Sequence, residues 1–387
     1  MKKVLIISYY YGHPTNVGGA VRVQKFVKYL PQFGWQPVVL TTPVQLPDTP
    51  QGPGGPQFFA ATPGCEVRGH PIVSSYLWLP AAIRAATEIV EREGIDIILA
   101  NCDPFVASLV AVHVGQRRNI PVVADFRDAW SFNPYSRGPR WISKFLESYV
   151  MRRIHFLITT SPGNTDEYIA RYRFLASKIQ TLYNGFDEED FPRSRPTAFD
   201  RFTIASAGTL SASRMPHVLF EALQQLADRA IQLVLMGSAT GDILGLAAEY
   251  QIGDRVEFLG RMAQRDAIRE IHRAQMLLVM QGATNMRCTP IAGKTFEYIR
   301  TGLPILAVAP EGNNVAFLRE HAPQAYIVTS FSADEVADSI ERCYQSWKAG
   351  STGVQRNAVF EDAFNRRELT RQLGELLDRV LAMERRN

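Results

Sequence analysis

Cysteine is scarce in this 387-residue chain, and Cys65, Cys102, Cys288 and Cys343 show neither C-x-x-C nor histidine spacing. That argues against a zinc site or a disulfide framework and predicts a reducing compartment. Charge of one sign is lacking too: Lys+Arg 42 against Asp+Glu 38 leaves +4, too small an excess to recruit nucleic acid. No run approaches the ~18–20 apolar residues of a membrane span. Lys2-Lys3 and the few apolar residues after them read as a buried strand, not a signal peptide. The expectation is a cytoplasmic protein. The first glycine-rich turn, "YYYGHPTNVGGAVR" at 9–22, has no G-x-G-x-x-G, and the next strand ends "VVLTT" with no acid for a ribose. An NAD-type oxidoreductase is thereby disfavoured. No D-x-D run stands where a metal would be needed, so no cofactor and no metal are expected.

What is present is an alternation of short apolar runs with amphipathic stretches. "VLIISYY", "QPVVLTT", "DIILAN", "IPVVADF", "HFLITTS" and "KIQTLYNGF" read as strands, and "AVRVQKFVKYLPQFG" as a helix ending at Gly34. Residues 43–64 are too rich in proline and glycine for an element. After "FPRSRPTAFDR", a linker at 191–201, strands start again with "FTIASAG", "IQLVLMG", "VEFLG", "MLLVMQG" and "PILAVAP". A chain this long exceeds the ~250–300 residues one core supports. The pattern predicts an α/β protein of two Rossmann-like, doubly wound parallel-sheet domains facing across a cleft, residues 1–195 and 196–365. A last helix over 366–387 is expected to cross back to the first domain.

In such sheets ligands sit beyond the carboxyl ends of the strands. Gly18 and Gly19 would let backbone approach a phosphate; a plain tight turn is the competing reading. In the second half, Gly208 and Thr209 end a strand, and Arg214 precedes a helix start near Pro216. A guanidinium there suits a diphosphate; alone it would be read as a solvated loop arginine. In "TPIAGKTFEYIRTGLPILAV", Lys294 and Thr295 open a helix and Glu297 follows on the face of Lys294. A carboxylate there can accept from two vicinal ribose hydroxyls, or simply pair with Lys294 or Arg300.

Taken together, Gly18-Gly19 with Arg22, "YNGFD" at 183–187, "GTLSASR" at 208–214 and "KTFEYIRTGLPIL" at 294–306 resemble the retaining GT-B-fold glycosyltransferases of the family-4 type. The resemblance implies a hexosyltransferase-type enzyme of polysaccharide biosynthesis. It would move a sugar from a nucleotide-diphosphate donor, UDP by family frequency, to a glycan, lipid-linked or small-molecule acceptor. By position, Glu297 matches the ribose-binding glutamate, Arg214 the lysine on the diphosphate, and Gly19 the loop glycine against the donor. Two departures stand out: Thr289 replaces the glutamate that contacts the transferred sugar, and Thr209 the arginine after the strand glycine. Lys294 is the candidate replacement cation. A 2-epimerase of the same fold and a catalytically degenerate nucleotide-sugar-binding module stay open as alternatives.

In the first half, "IPVVADFRDAW" places Arg127 and Asp128 where relatives carry His-Asp, with Asp125 before them. Both carboxylates are expected to face the cleft and orient acceptor or sugar, unless Arg127 pairs with one to fix the loop. "RWISKFLESYVMRR" mixes aromatics with cations, as a helix on anionic lipid would; a core-facing helix with a basic outer side is the competing reading. His13 and His217 read as solvated loop residues.

Overall fold

The computed structural model describes residues 1–12, 17–42, 57–60, 75–102, 104–133, 139–211, 214–240, 243–282 and 290–385. His13, Cys65, Cys288, Thr289 and most of the 43–64 segment lie outside the described residues. The chain divides into two compact units, Met1–Asn184 with Arg366–Asn387, and Gly185–Asn365. Residues 185–195, grouped with the first half in the sequence reading, belong to the second unit. There Glu188 pairs with Arg300 and Asp190 with Arg265.

In the first unit, β1 (Lys2–Ser8), β2 (Trp35–Thr41), β3 (Gln57–Ala60), β4 (Ile97–Cys102), β5 (Val122–Phe126), β6 (Phe156–Thr159) and β7 (Ile179–Thr181) form one parallel sheet, order β3-β2-β1-β4-β5-β6-β7. Its helices are α1 (Val17–Tyr29), α2 (Leu79–Glu93), α3 (Val106–Arg118), α4 (Arg140–Met151), α5 (Pro162–Arg171) and the C-terminal helix Arg366–Glu384. Alternation along β1 feeds two cores. Val4 and Ile6 pack with Val23, Phe26 and Val27 of α1 and with Leu369, Leu373 and Leu377 of the C-terminal helix. Leu5 and Ile7 join Ala82, Ala86, Val106 and Val110 on the other face. The sequence reading left no element in 43–64, yet Gln57–Ala60 pairs with β2 as an edge strand. Edge strands tolerate the flanking prolines that misled the reading.

The β1-to-α1 junction also differs from expectation. The helix begins at Val17, so Gly18 and Gly19 occupy its first turn rather than the turn before it. Arg22, which the resemblance grouped with the glycine turn, is fully buried. Its Nε and Nη2 donate to Asp125 at 2.9 and 3.1 Å, and the remaining donors go to the carbonyls of Leu182 and Tyr183 and to Asn184 Oδ1. Every guanidinium donor is used. Asp125 also accepts from Asn101, which in turn accepts from Ser8. The expectation that Asp125 lies open to ligand is thus corrected: it is the counter-ion of a buried arginine.

The second unit holds β8 (Phe202–Ala207), β9 (Leu210–Ser211), β10 (Ile231–Met236), β11 (Ala239–Thr240), β12 (Val256–Gly260), β13 (Met276–Met280), β14 (Ile305–Val308) and β15 (Ala325–Val328). Six of them make a parallel sheet, order β12-β10-β8-β13-β14-β15, and β9 pairs with β11. Helices α6 (Pro216–Gln225), α7 (Ile243–Glu249), α8 (Gln264–Ile271), α9 (Gly293–Thr301), α10 (Asn313–His321), α11 (Ala333–Lys348) and α12 (Ala358–Phe364) accompany them. The unit's two ends meet: Phe186 bridges Asn365, and its N–H donates to the Phe364 carbonyl at 3.2 Å.

Candidate active site

The carboxyl ends of β8, β10 and β12 are stitched edge to edge. Gly208 N–H donates to the Met236 carbonyl and Gly237 N–H to the Gly260 carbonyl, both at 2.7 Å. Gly208 and Gly237 hold φ of +103° and +126°, backbone that favours glycine. A Cβ at Gly237 would meet the Gly208 carbonyl oxygen at 2.5 Å, whereas one at Gly208 would meet nothing within 4 Å. Open space therefore lies over Gly208, and both it and Thr209 are exposed.

Three charged side chains meet beside this edge. Met215, at φ +58°, turns the chain between Arg214 and Pro216, and Arg214 Nη1 donates to the carbonyl of Met280 at the end of β13 at 3.2 Å. Lys294, in the first turn of α9, donates from Nζ to Ser206 Oγ at 3.0 Å on β8. Burial pushes its ammonium down to about 7, Arg214 adds to the effect, and Glu297 opposes it. Glu297, one turn on, accepts from the Gln264 amide at the start of α8. Arg300 pairs with Glu188 instead of Glu297. Tyr298 lies beneath: its hydroxyl accepts the Ala207 N–H at 2.7 Å, and burial raises its pKa.

Arg214, Lys294 and Glu297 are thus brought together. Thr295 is not available beside them: it is buried, its hydroxyl donates to Asn314 Oδ1 at 2.9 Å and its N–H to the Ala292 carbonyl. Asn314 Oδ1 also accepts the Ala292 N–H, fastening the start of α9. Sequence reasoning missed Ser206, Gln264, Asn314 and Tyr298. Tyr298 alone left a trace, four residues after Lys294 on one helical face.

In the first unit Arg127 and Asp128 follow β5 and pair with each other at 3.1 Å, both partly exposed. The Arg127 carbonyl also accepts from Thr160. His217 is exposed.

Residues 17–185 match the family described as Glycosyl transferase 4-like domain, and residues 187–352 the family described as Glycosyl transferases group 1. The chain is a glycosyltransferase of the GT-B type. Solved structures share its fold at low identity. Sucrose-phosphate synthase from Thermosynechococcus elongatus superposes with a TM-score of 0.80 at 17% identity, covering 99% of this chain and 100% of that one. HepE of Anabaena, solved in complex with UDP and glucose, gives 0.72 at 18% identity over 98% of this chain and 100% of that one. A Listeria monocytogenes protein assigned as a UDP-N-acetylglucosamine 2-epimerase gives 0.62 at 12%, over 98% and 96%. No curated protein sequence matches the chain.

The Lys294 environment carries a pH signature. Burial holds this ammonium near 7, and a diphosphate bound here, as the resemblance implies, would need the ammonium form. Binding therefore draws in a proton above that pH. On that reading donor affinity would be full below pH ~7 and fall as pH rises, roughly tenfold between pH 7 and 8.5. Calorimetric titration with a nucleoside diphosphate measures this; Lys294→Met should bind weakly with no pH slope. A wild-type affinity flat across that range would remove Lys294 from the anion site.

Proposed function

We propose that the chain is a retaining glycosyltransferase whose second unit holds a nucleotide-diphosphate sugar, UDP-linked, for transfer to a hydroxyl of a glycan, lipid-linked or small-molecule acceptor. The supporting observation is the meeting of Arg214, Lys294 and Glu297 at the ends of β8 and β13, beside the open start of α9. Two cations and a helix N-terminus suit a pyrophosphate. A carboxylate one turn into that helix suits a ribose diol. The UDP held by HepE supports the base assignment.

In the retaining reaction that the resemblance implies, the acceptor oxygen bonds to the anomeric carbon on the face the diphosphate leaves. The bond from that carbon to the phosphate oxygen breaks, and the acceptor proton passes to the departing phosphate. No protein nucleophile is required. Arg214 and Lys294 stabilise charge growing on the diphosphate, and Gly208 and Thr209 leave room for it. Arg127 and Asp128, at the end of β5, are assigned to the acceptor side, where the exposed part of their ion pair can orient a hydroxyl. Within the first unit, Gly18 and Gly19 stand in the first turn of α1, whose N–H groups suit an anion.

The test is thermal stabilisation by UDP, GDP, ADP and dTDP, followed by NMR of the product anomer. At about 100 times its dissociation constant, UDP should add ~2.7 kcal/mol to the stability of the unit that binds it, and an α-linked donor should give an α-linked product. Stabilisation by another nucleotide would correct the base, and a β-linked product would end the retaining assignment. Donor altered at sugar C2 without acceptor would make the protein an epimerase, and binding without turnover a degenerate module.

A further inference from the structure

Helix α4 is built inside out. Its one carboxylate, Glu147, is fully buried, while Trp141 and Phe145 are 74% and 68% exposed and Ile142 is 38% exposed. The burial of Glu147 is enforced: its oxygens accept from Ser131 N–H and Oγ, both at 2.8 Å, and from the hydroxyls of Tyr172 at 2.9 Å and Tyr168 at 3.3 Å. Val150 and Met151 are buried with it. At about 100° per residue, a helix clocked by Glu147, Val150 and Met151 must turn Trp141, Ile142 and Phe145 to the far side. No rotation hides the aromatics without stripping a buried carboxylate of its donors.

The exposed charges of the helix are all cationic, with Arg152 on the aromatic side and Lys144 at its flank. Arg140, Lys144 and Arg152 are exposed, and with Glu147 turned inward the helix presents no acid to solvent. Phe174, 46% exposed, extends the apolar surface next to Tyr172, its ring 5.9 Å from the Tyr172 ring, with exposed Arg173 beside it and Arg171 paired with Glu167. Aromatics that cannot be buried within the unit, flanked by Lys144 and Arg152 with no competing carboxylate on the helix, complement an anionic lipid surface.

We propose that α4 docks the first unit onto anionic membrane, with Trp141, Ile142 and Phe145 inserted at headgroup depth and Lys144 and Arg152 against the lipid phosphates. This surface is independent of the donor site and of the reaction assigned to it. Among the described residues no helix is long and apolar enough to cross a membrane, so attachment would be reversible.

The test is co-sedimentation of the full chain with vesicles of phosphatidylcholine alone and of phosphatidylcholine with phosphatidylglycerol in equal parts, in low and high salt. Binding to the anionic vesicles and not the neutral ones is expected, weakening with salt. Trp141→Ser with Phe145→Ser should lower the partition coefficient at least tenfold with an unchanged melting curve. Lys144→Gln with Arg152→Gln should lower it by about fivefold per cation removed, and this second pair decides the matter should the first fold poorly. Equal binding to both vesicle types, or wild-type partition in both double variants, would overturn the proposal. So would a concentration-dependent dimer that the Trp141/Phe145 variant abolishes, since a second copy would then occupy this face.

Discussion

Replacing Arg214 with alanine is expected to lower turnover by roughly two to three orders of magnitude, the loss typical of removing one donor from a preorganised anion site. The expectation rests on position. The arginine reaches the end of β13 and stands close enough to Lys294 to depress its pKa. Two cations held together without ligand repel each other, and a pyrophosphate relieves that repulsion. Charge on the leaving diphosphate grows towards the transition state, so kcat should fall more than KM rises. Arg214→Lys should recover only part of the rate, because a point charge cannot hold two oxygens in a fork. Steady-state kinetics on both variants supply the measurement, and a near-normal rate for Arg214→Ala would count against the donor site as assigned.

Asp125→Ala should destabilise the first unit by about 3–5 kcal/mol, because it strands the Arg22 guanidinium in the core without its counter-ion. Both side chains are fully buried, so solvent cannot replace the lost partner. For a body of this size ~1 kcal/mol moves the midpoint about 2–4 °C, so a fall on the order of 10 °C is expected. Differential scanning calorimetry with and without nucleotide separates the two units. The transition that nucleotide raises should stay in place while the other drops. A shift below ~2 °C would mean that the network relaxes around the missing carboxylate.

The pattern of errors in the sequence reading follows the range of the forces involved. Strands such as Ile231–Met236 and Met276–Met280 declare themselves through local apolar runs, and their sheet contexts followed. Lys294 and Glu297 were legible because both lie on one short helix. Arg22 was not, since its partners sit 103 to 162 residues away and nothing beside it marks it as buried. Glu147 defeats local reasoning for the same cause. The core-facing alternative for this helix would turn Trp141 and Phe145 inward, but four donors from residues 131, 168 and 172 outweigh it. Ser206 and Gln264 reach the site only through the sheet and the helix start that present them.

The bridge between Phe186 and Asn365 makes the second unit a guest spliced into a host. The guest is one uninterrupted piece with its ends side by side. The host must wait for its last helix before Leu369, Leu373 and Leu377 can complete the layer over β1. During synthesis the inserted piece can therefore close first, and the earliest-made strands finish their core last.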